Sequence, residues 1–187
     1  MKATPDERLV ERARRGDAAA FDELTERHLD AAYGLAFALL GSPDDAEDCV
    51  QDSFIRALER LDQCRTPERF RAWLLRIVRN QALNMRRRGR VRAAVPLEEG
   101  LSLVSDREDP ERDAERGRLR ERLAGALALL TEGQRTVVVL HDLEGWRHAE
   151  IARFLNIRTG ASRALLFKAR QTLRKVLGRQ PMFEEWR

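Results

Sequence analysis

The sequence predicts an all-α protein of two small helical domains joined by a flexible acidic linker, and three observations carry that reading. Apolar residues recur at helical spacing through nearly every segment. Three pairs, Thr4-Pro5, Ser42-Pro43 and Thr66-Pro67, each set a capping hydroxyl before a proline in a first helical turn. Between the two periodic halves, residues 89–115 alternate glycine, proline and acids with isolated aliphatics, as a linker does. The resulting boundaries are 1–90, 91–115 and 116–187, and 187 residues suffice for two such domains.

The first helix starts after Thr4, with Glu7 at capping-box spacing. Gly16-Asp17 ends it and caps the second, a device that Gly41-Ser42 repeats. The second helix is expected to bury Phe21, Leu24, Leu35 and Leu39. The third should bury Ala46, Cys49, Val50, Phe54, Ala57, Leu58 and Leu61. From Pro67 a fourth helix sets Phe70, Trp73, Leu74, Ile77 and Val78 at helical period. Periodicity returns near Ala114 with Leu119, Leu123, Ala126, Leu127 and Leu130. Val137-Val138-Val139-Leu140 could be a strand, but it lies in a helix-length window between Thr131 and Gly145 and reads as a buried helix face.

The last pair of helices is the most informative. Ala149, Ile151, Ala152 and Leu155 form a short amphipathic helix, a tight turn follows at Asn156–Thr159, and Leu165, Leu166, Ala169 and Leu173 continue a longer one. Ala152 is the small residue at the crossing, Asn156 suits a left-handed turn, and Ile157 packs inward. Between Ile151 and Phe183 there is no acid, while Arg153, Arg158, Arg163, Lys168, Arg170, Arg174, Lys175 and Arg179 are basic. A helix-turn-helix presents a cationic recognition helix to the DNA major groove in this way. A surface helical hairpin with incidental charge is the alternative, and a stretch so uniformly cationic argues against it.

Charge is unevenly spread around a net +4. Residues 86–92 hold five arginines, and residues 98–115 hold eight acids against two arginines. Two anion-binding modules flank a segment that avoids or mimics nucleic acid. On the fourth helix, Arg76, Asn80 and Asn84 share a face that runs into Arg87 and Arg88. Asn can bond base edges and Arg can neutralise phosphate, although a solvated face with a dipole-favourable basic end also accounts for the pattern. Trp73 is read first as core, with base stacking as the alternative. Asp44 and Asp45 are explained by the helix dipole, whereas Asp48 and Asp52, beside Glu47 and Gln51, extend further than capping requires. A docking surface for a basic partner and a plain solvated face both remain open there.

No nucleophile–base pair, metal-ligand spacing or phosphate loop is visible, so neither catalysis nor a cofactor is expected. Cys49 and Cys64 lack CxxC spacing and read as buried thiols, and His28, His141 and His148 share no ligand spacing. The start of the chain has no apolar signal core, and no apolar run approaches about 18 residues, so a cytoplasmic protein is expected.

These motifs together carry a resemblance. Residues 21–88 resemble region 2 of bacterial RNA polymerase sigma factors of the extracytoplasmic-function group. The matching stretches are Phe21-Asp22-Glu23-Leu24, the run Asp44 to Phe54 and the run Phe70 to Asn80. Residues 119–177 resemble region 4, through Leu130-Thr131-Glu132-Gly133-Gln134-Arg135 and the helix-turn-helix. The resemblance implies a subunit that joins core RNA polymerase and directs it to promoters. It implies that Glu47, Asp48, Gln51 and Asp52 dock on the coiled coil of the largest polymerase subunit, with a further polymerase contact at the flap. Arg76, Asn80, Asn84, Arg87 and Arg88 would serve the −10 element, where a flipped base is captured with help from the loop Asp62–Thr66. Arg158, Arg163, Phe167, Lys168 and Arg170 would lie in or beside the −35 recognition helix. The acidic linker matches the connector that threads the polymerase channel, and an anti-sigma factor is the expected regulator.

The chain departs from the family pattern at several points. Ala164-Leu165 stands where Ser-Arg is usual, Arg147 where a capping serine is common, and Asn156 where glycine is common. These differences leave the −35 sequence preference open. The tail 181–187 could pack on region 4, contact a regulator or be an unstructured end. Two rival readings are a stand-alone helix-turn-helix regulator with a sensing or dimerising N-terminal domain, and an RNA-binding helical adaptor. Both leave the acidic third helix and linker without a purpose.

Overall fold

In a computed structural model, residues 5–93 and 110–177 are described, with side chains for 5–89 and 117–177. The described residues hold eight α-helices and no strand: α1 (Pro5–Arg14), α2 (Ala18–Leu40), α3 (Pro43–Glu59), α4 (Phe70–Ala93), α5 (Pro110–Ala128), α6 (Glu132–Val138), α7 (His148–Leu155) and α8 (Thr159–Leu177). The expected caps at Asp17 and Ser42 are made: their side chains accept from the N–H of Ala20 and Asp45. Gly41 closes α2 at φ 81°, the left-handed region that glycine tolerates without cost. The expected cap at Thr4 and the tail 181–187 lie outside the described residues.

Helices α2, α3 and α4 pack against one another, and α1 lies across α2. Their shared core contains Leu24, Leu35, Leu39, Phe70, Leu74, Leu75 and Val78. Leu58 is a correction: expected in this core, it is 53% exposed, one turn beyond buried Phe54. Arg14 ties α1 to the segment after α3, donating to the carbonyls of Leu61 and Cys64. Two 3-10 turns, Leu61–Gln63 and Pro67–Arg69, shape that segment.

In the second half, α6 packs on α8, and a π-helical turn at Val139–Leu143 carries its buried face onward. Val137 to Leu140 are all buried, as the helix-face reading requires. Thr131 and Gln134 form a reciprocal capping box, the Gln134 Oε1 accepting from the Thr131 N–H at 2.8 Å. Within the expected linker 91–115, α4 continues to Ala93 and α5 begins at Pro110, and residues 94–109 lie outside the described residues. Helical period is present on α5 as expected; among its described side chains Ala126 and Leu127 are buried, and Leu119 and Leu123 are exposed.

The two halves touch. Arg135 is buried on α6, and its Nη1 donates to the Leu39 carbonyl at 3.0 Å, across 96 positions of sequence. Its Nε and Nη2 donate to the carbonyls of Leu130 and Ala128 at 3.1 and 3.2 Å. One side chain therefore satisfies orphan carbonyls at the ends of α2 and α5, groups that a helix leaves without internal partners.

His28 is buried between Asp6 and the Phe70 ring, with Nε2 3.0 Å from Asp6 Oδ2. Desolvation outweighs the Asp6 carboxylate and holds its pKa below the ordinary 6.5. The folded chain thus binds fewer protons at this site than the unfolded chain. The associated stability is present above pH 6.5 and is lost as pH falls toward the lower folded value. His148 is shifted in the same direction, by desolvation first and by neighbouring cations next. The thermal midpoint is expected to fall on acidification from about pH 7.5 to about pH 5.5, and His28→Gln to flatten that slope. In the core, Leu74→Ala should cost about 2–5 kcal/mol by chemical denaturation, whereas Leu58→Ala should cost well under about 1 kcal/mol.

Candidate functional site

Three surfaces come from three helices. On α3, Glu47, Asp48, Gln51 and Asp52 all face solvent while Ala46, Cys49, Val50 and Ser53 face the core. The acidic ridge is therefore the outer face of a helix whose inner face is fully packed. Cys49 Sγ donates to the Val78 carbonyl at 3.7 Å, and burial pushes its pKa up to about 11, which keeps it an inert thiol. Asp52 accepts from Gln81 Nε2 at 2.7 Å, which fixes the ridge against α4.

Beside the ridge lies a groove that periodicity did not reveal. Leu29, Tyr33, Ile55 and Leu58 line it together with Glu47 and Gln51, enclosing a volume of about 690 Å³. Ile55 and Leu58 are about half exposed. Sequence periodicity assigned Leu58 to the core because the apolar stripe of α3 is wider than the part of it that α2 and α4 cover.

On α4, Arg76, Asn80, Asn84, Arg87 and Arg88 are all exposed, whereas Phe70, Leu74, Val78 and Gln81 are buried. The two faces read from sequence are present in the fold. Trp73 is half-buried, 5.8 Å from Phe70, and it also lines a cleft of about 520 Å³ with the loop residues Gln63 to Thr66. Its ring thus belongs partly to the core and partly to an open cavity. The loop itself is positioned by Arg14, a residue sequence reasoning passed over because its acceptors are backbone carbonyls about fifty positions away.

The C-terminal pair has helix-turn-helix geometry. Asn156 follows α7 at φ 55° and ψ 50°, the left-handed turn expected of it, and the N–H groups of Asn156 and Ile157 both reach the Ala152 carbonyl. The missing cap at Arg147 is offset by Glu150, whose carboxylate accepts from the Arg147 N–H at 2.8 Å. Trp146 and Phe154 meet edge to face at 5.6 Å behind α7. On α8, Leu166, Ala169 and Leu173 are buried, Leu165 is half-buried, and Arg163, Ala164, Phe167 and Lys168 are exposed. Phe167 is 69% exposed, the largest fraction among the large apolar side chains of the described residues. Arg158 stands exposed just before α8.

Arg170 lies on α8, as expected, and is half-buried. Its Nη2 and Nε donate to Asp142 at 2.5 and 3.2 Å, and this bond raises its pKa. Asp142 is almost fully buried on the π-helical turn and is also 2.8 Å from His141 Nδ1. The rings of His141 and His148 stack at 4.7 Å, and His148 Nδ1 lies 3.0 Å from Ser162 Oγ. Arg170 therefore fastens α8 to the turn beneath it.

Among the described residues, no cluster of His, Cys, Asp or Glu could hold a metal ion. No described helix is long and apolar enough to cross a membrane. An all-helical chain that presents an acidic ridge, a polar-cationic helix and a helix-turn-helix falls in the class of two-domain helix-turn-helix proteins. Comparison with known families gives the particular membership. Residues 24–92 match the family model of Sigma-70 region 2, and residues 120–173 match that of Sigma-70 region 4. The chain is 38% identical over 168 residues to the ECF RNA polymerase sigma factor SigE of Mycolicibacterium smegmatis, covering 88% of this chain but only 65% of SigE. It is 30% identical to the ECF RNA polymerase sigma factor SigW of Bacillus subtilis, covering 90% of this chain and 94% of SigW. A solved structure of CnrH in complex with the cytosolic domain of CnrY is similar at a TM-score of 0.68 and 28% identity, covering 95% of this chain and 99% of that one. The chain belongs to the sigma-70 family and, within it, to the extracytoplasmic-function sigma factors.

The left-handed turn at Asn156 yields a direct test. Asn156→Val should destabilise the protein by about 1–2 kcal/mol, while Asn156→Gly should stay within about 0.5 kcal/mol of the parent. Thermal denaturation of the two variants separates these outcomes.

Proposed function

We propose that this chain binds core RNA polymerase and directs it to promoters, with recognition divided between two helices that are each weak alone. The supporting observation is the conjunction of an outward acidic ridge on α3 with two exposed cationic surfaces on α4 and α8, in the family's order. In this reading Glu47, Asp48, Gln51 and Asp52 dock on the basic coiled coil of the largest subunit. The apolar groove at Ile55 and Leu58 gives the docked helix area to bury, and charge complementarity speeds the encounter. Residues 1–90 form the polymerase-binding and −10 domain, residues 91–115 the connector, and residues 116–187 the −35 domain with a further contact at the flap.

Arg76, Asn80, Asn84, Arg87 and Arg88 would meet the −10 element. Arginines give salt-dependent phosphate contacts, and the asparagine amides can pair with base edges. The cleft at Gln63–Thr66 and Trp73 would accept an unpaired base, offsetting a few kcal/mol of unstacking. Arg158, Arg163, Phe167, Lys168 and Arg170 would serve the −35 element, with Arg170 also holding α8 against the turn beneath it. Tethering both modules to polymerase raises their effective concentration, so selectivity follows from two elements at a set spacing. The protein would act in the cytoplasm, contribute no catalytic step of its own and be held in check by an anti-sigma factor. The sigma factor RpoE from Bartonella quintana, solved in complex with the anti-sigma factor NepR and similar at a TM-score of 0.64 and 25% identity over 84% of this chain and 96% of that one, supports this last point by similarity.

Run-off transcription with purified core polymerase tests the reading, and initiation on −10/−35 fragments should require the chain. Absence of polymerase-dependent initiation on every promoter fragment would overturn it. Charge reversal at Asp48 and Asp52 should weaken core binding by about tenfold or more while sparing DNA affinity of the free chain. Asn80→Ala should slow open-complex formation, read by permanganate reactivity, more than it weakens −35 protection.

A further inference from the structure

Two histidines of the C-terminal half stand against α8. His141, on the π-helical turn, and His148, the first residue of α7, stack with ring centres 4.7 Å apart. His148 Nδ1 lies 3.0 Å from Ser162 Oγ, a buried hydroxyl in the first turn of α8. His148 also lines an open groove of about 660 Å³ along α8, with Arg163, Phe167, Arg170, Arg174 and Lys175. Of these side chains only the imidazole changes charge near neutral pH.

The charges that face His148 come from α8 and the π-helical turn, which both pack on α7. Arg163 and Arg170 approach from α8, and His141 and Asp142 from the turn. Asp142 already accepts from Arg170 and lies 2.8 Å from His141 Nδ1. Within α7 itself, Glu150 is committed to the Arg147 N–H. Desolvation first, then His141, Arg163 and Arg170, hold the His148 pKa below the ordinary 6.5, and Asp142 opposes them. A proton on this ring is therefore repelled by the cations beside it in the free chain.

We infer that the groove is a proton-linked phosphate site: a backbone phosphate of bound DNA seated there draws a proton onto His148. The inference rests on the reading that α8 faces the −35 element. A phosphodiester brings negative charge to a cationic wall, so the repulsion that disfavours the imidazolium gives way to attraction. Ser162 can hold the ring in either protonation state, because its hydroxyl both donates and accepts. By linkage, an anion that raises proton affinity is itself bound more tightly as protons are supplied, by the same factor. Acid then acts in two directions. It destabilises the fold through His28 and His148, yet it tightens the grip of α8 on phosphate. Arginine and lysine contacts stay charged across this range and give no such response.

The test uses the full chain and a duplex of about 20 base pairs of arbitrary sequence at low salt, because phosphate contacts carry no sequence information. Calorimetric titration at about pH 6.5, in buffers of different ionisation enthalpy, reads the protons taken up on binding. The parent should take up about half a proton per chain. His148→Gln keeps an amide that can pair with Ser162 but loses the titration, and its uptake should fall below about one fifth of a proton. His28→Gln, in the N-terminal half, should retain the parent's uptake. Between about pH 7.5 and pH 5.8, duplex affinity should rise about five-fold for the parent and less than about two-fold for His148→Gln. In the parent alone, the NMR resonance of the His148 ring should titrate at higher pH with the duplex than without it. Equal uptake by the parent and His148→Gln, or a His148 titration that the duplex does not move, would overturn the inference while leaving DNA binding by α8 intact. Failure of the parent to bind any duplex would overturn the reading of α8 together with it.

Discussion

A single buried guanidinium gathers carbonyl oxygens from three segments of this chain. Arg135 bonds Leu39 at the end of α2, Ala128 at the end of α5 and Leu130 just before α6. Helix ends leave carbonyls that need donors, and burying one without a donor costs about 1–3 kcal/mol. Because the charge has no carboxylate in its hydrogen-bond shell, burial lowers its pKa, with Glu132 opposing the shift. The side chain is tolerated there only while all three acceptors are in place. The geometry of α6, the pairing of α5 with the helix-turn-helix and the approach of the two halves all pass through this group.

Around that junction the molecule separates packing from recognition on each functional helix. The inner faces of α3, α4 and α8 are apolar and closed, so their outer faces can be fully charged without touching the core. Helix α3 presents acids, while α4 and α8 present cations, and their opposed signs suit a protein partner in one case and nucleic acid in the other.

Local chemistry was the legible part of the sequence. The caps at Asp17 and Ser42, the left-handed Asn156 and the two faces of α4 follow from rules acting over three or four residues. Core membership was legible except at stripe edges. Leu58 keeps helical period but lies where no neighbouring helix covers it, and periodicity cannot say how far a partner extends. Arg14, Arg135 and the Asp142–Arg170 pair were not legible as structural devices. Their partners are backbone carbonyls or distant carboxylates, and arginine in a basic region looks like a DNA contact whether or not an acceptor holds it. Arg170 shows the consequence: a cation on the recognition helix is also bonded to a buried aspartate.

In the proposed function, two weak DNA-facing helices become selective only when polymerase holds them. Footprinting on a promoter fragment selected by the reconstituted holoenzyme tests it most directly, comparing the free chain with the chain bound to core polymerase at the same salt. Protection at both −35 and −10 should appear only with core polymerase present. Full protection of either element by the free chain at comparable concentration would contradict the account and point to a self-sufficient DNA-binding regulator.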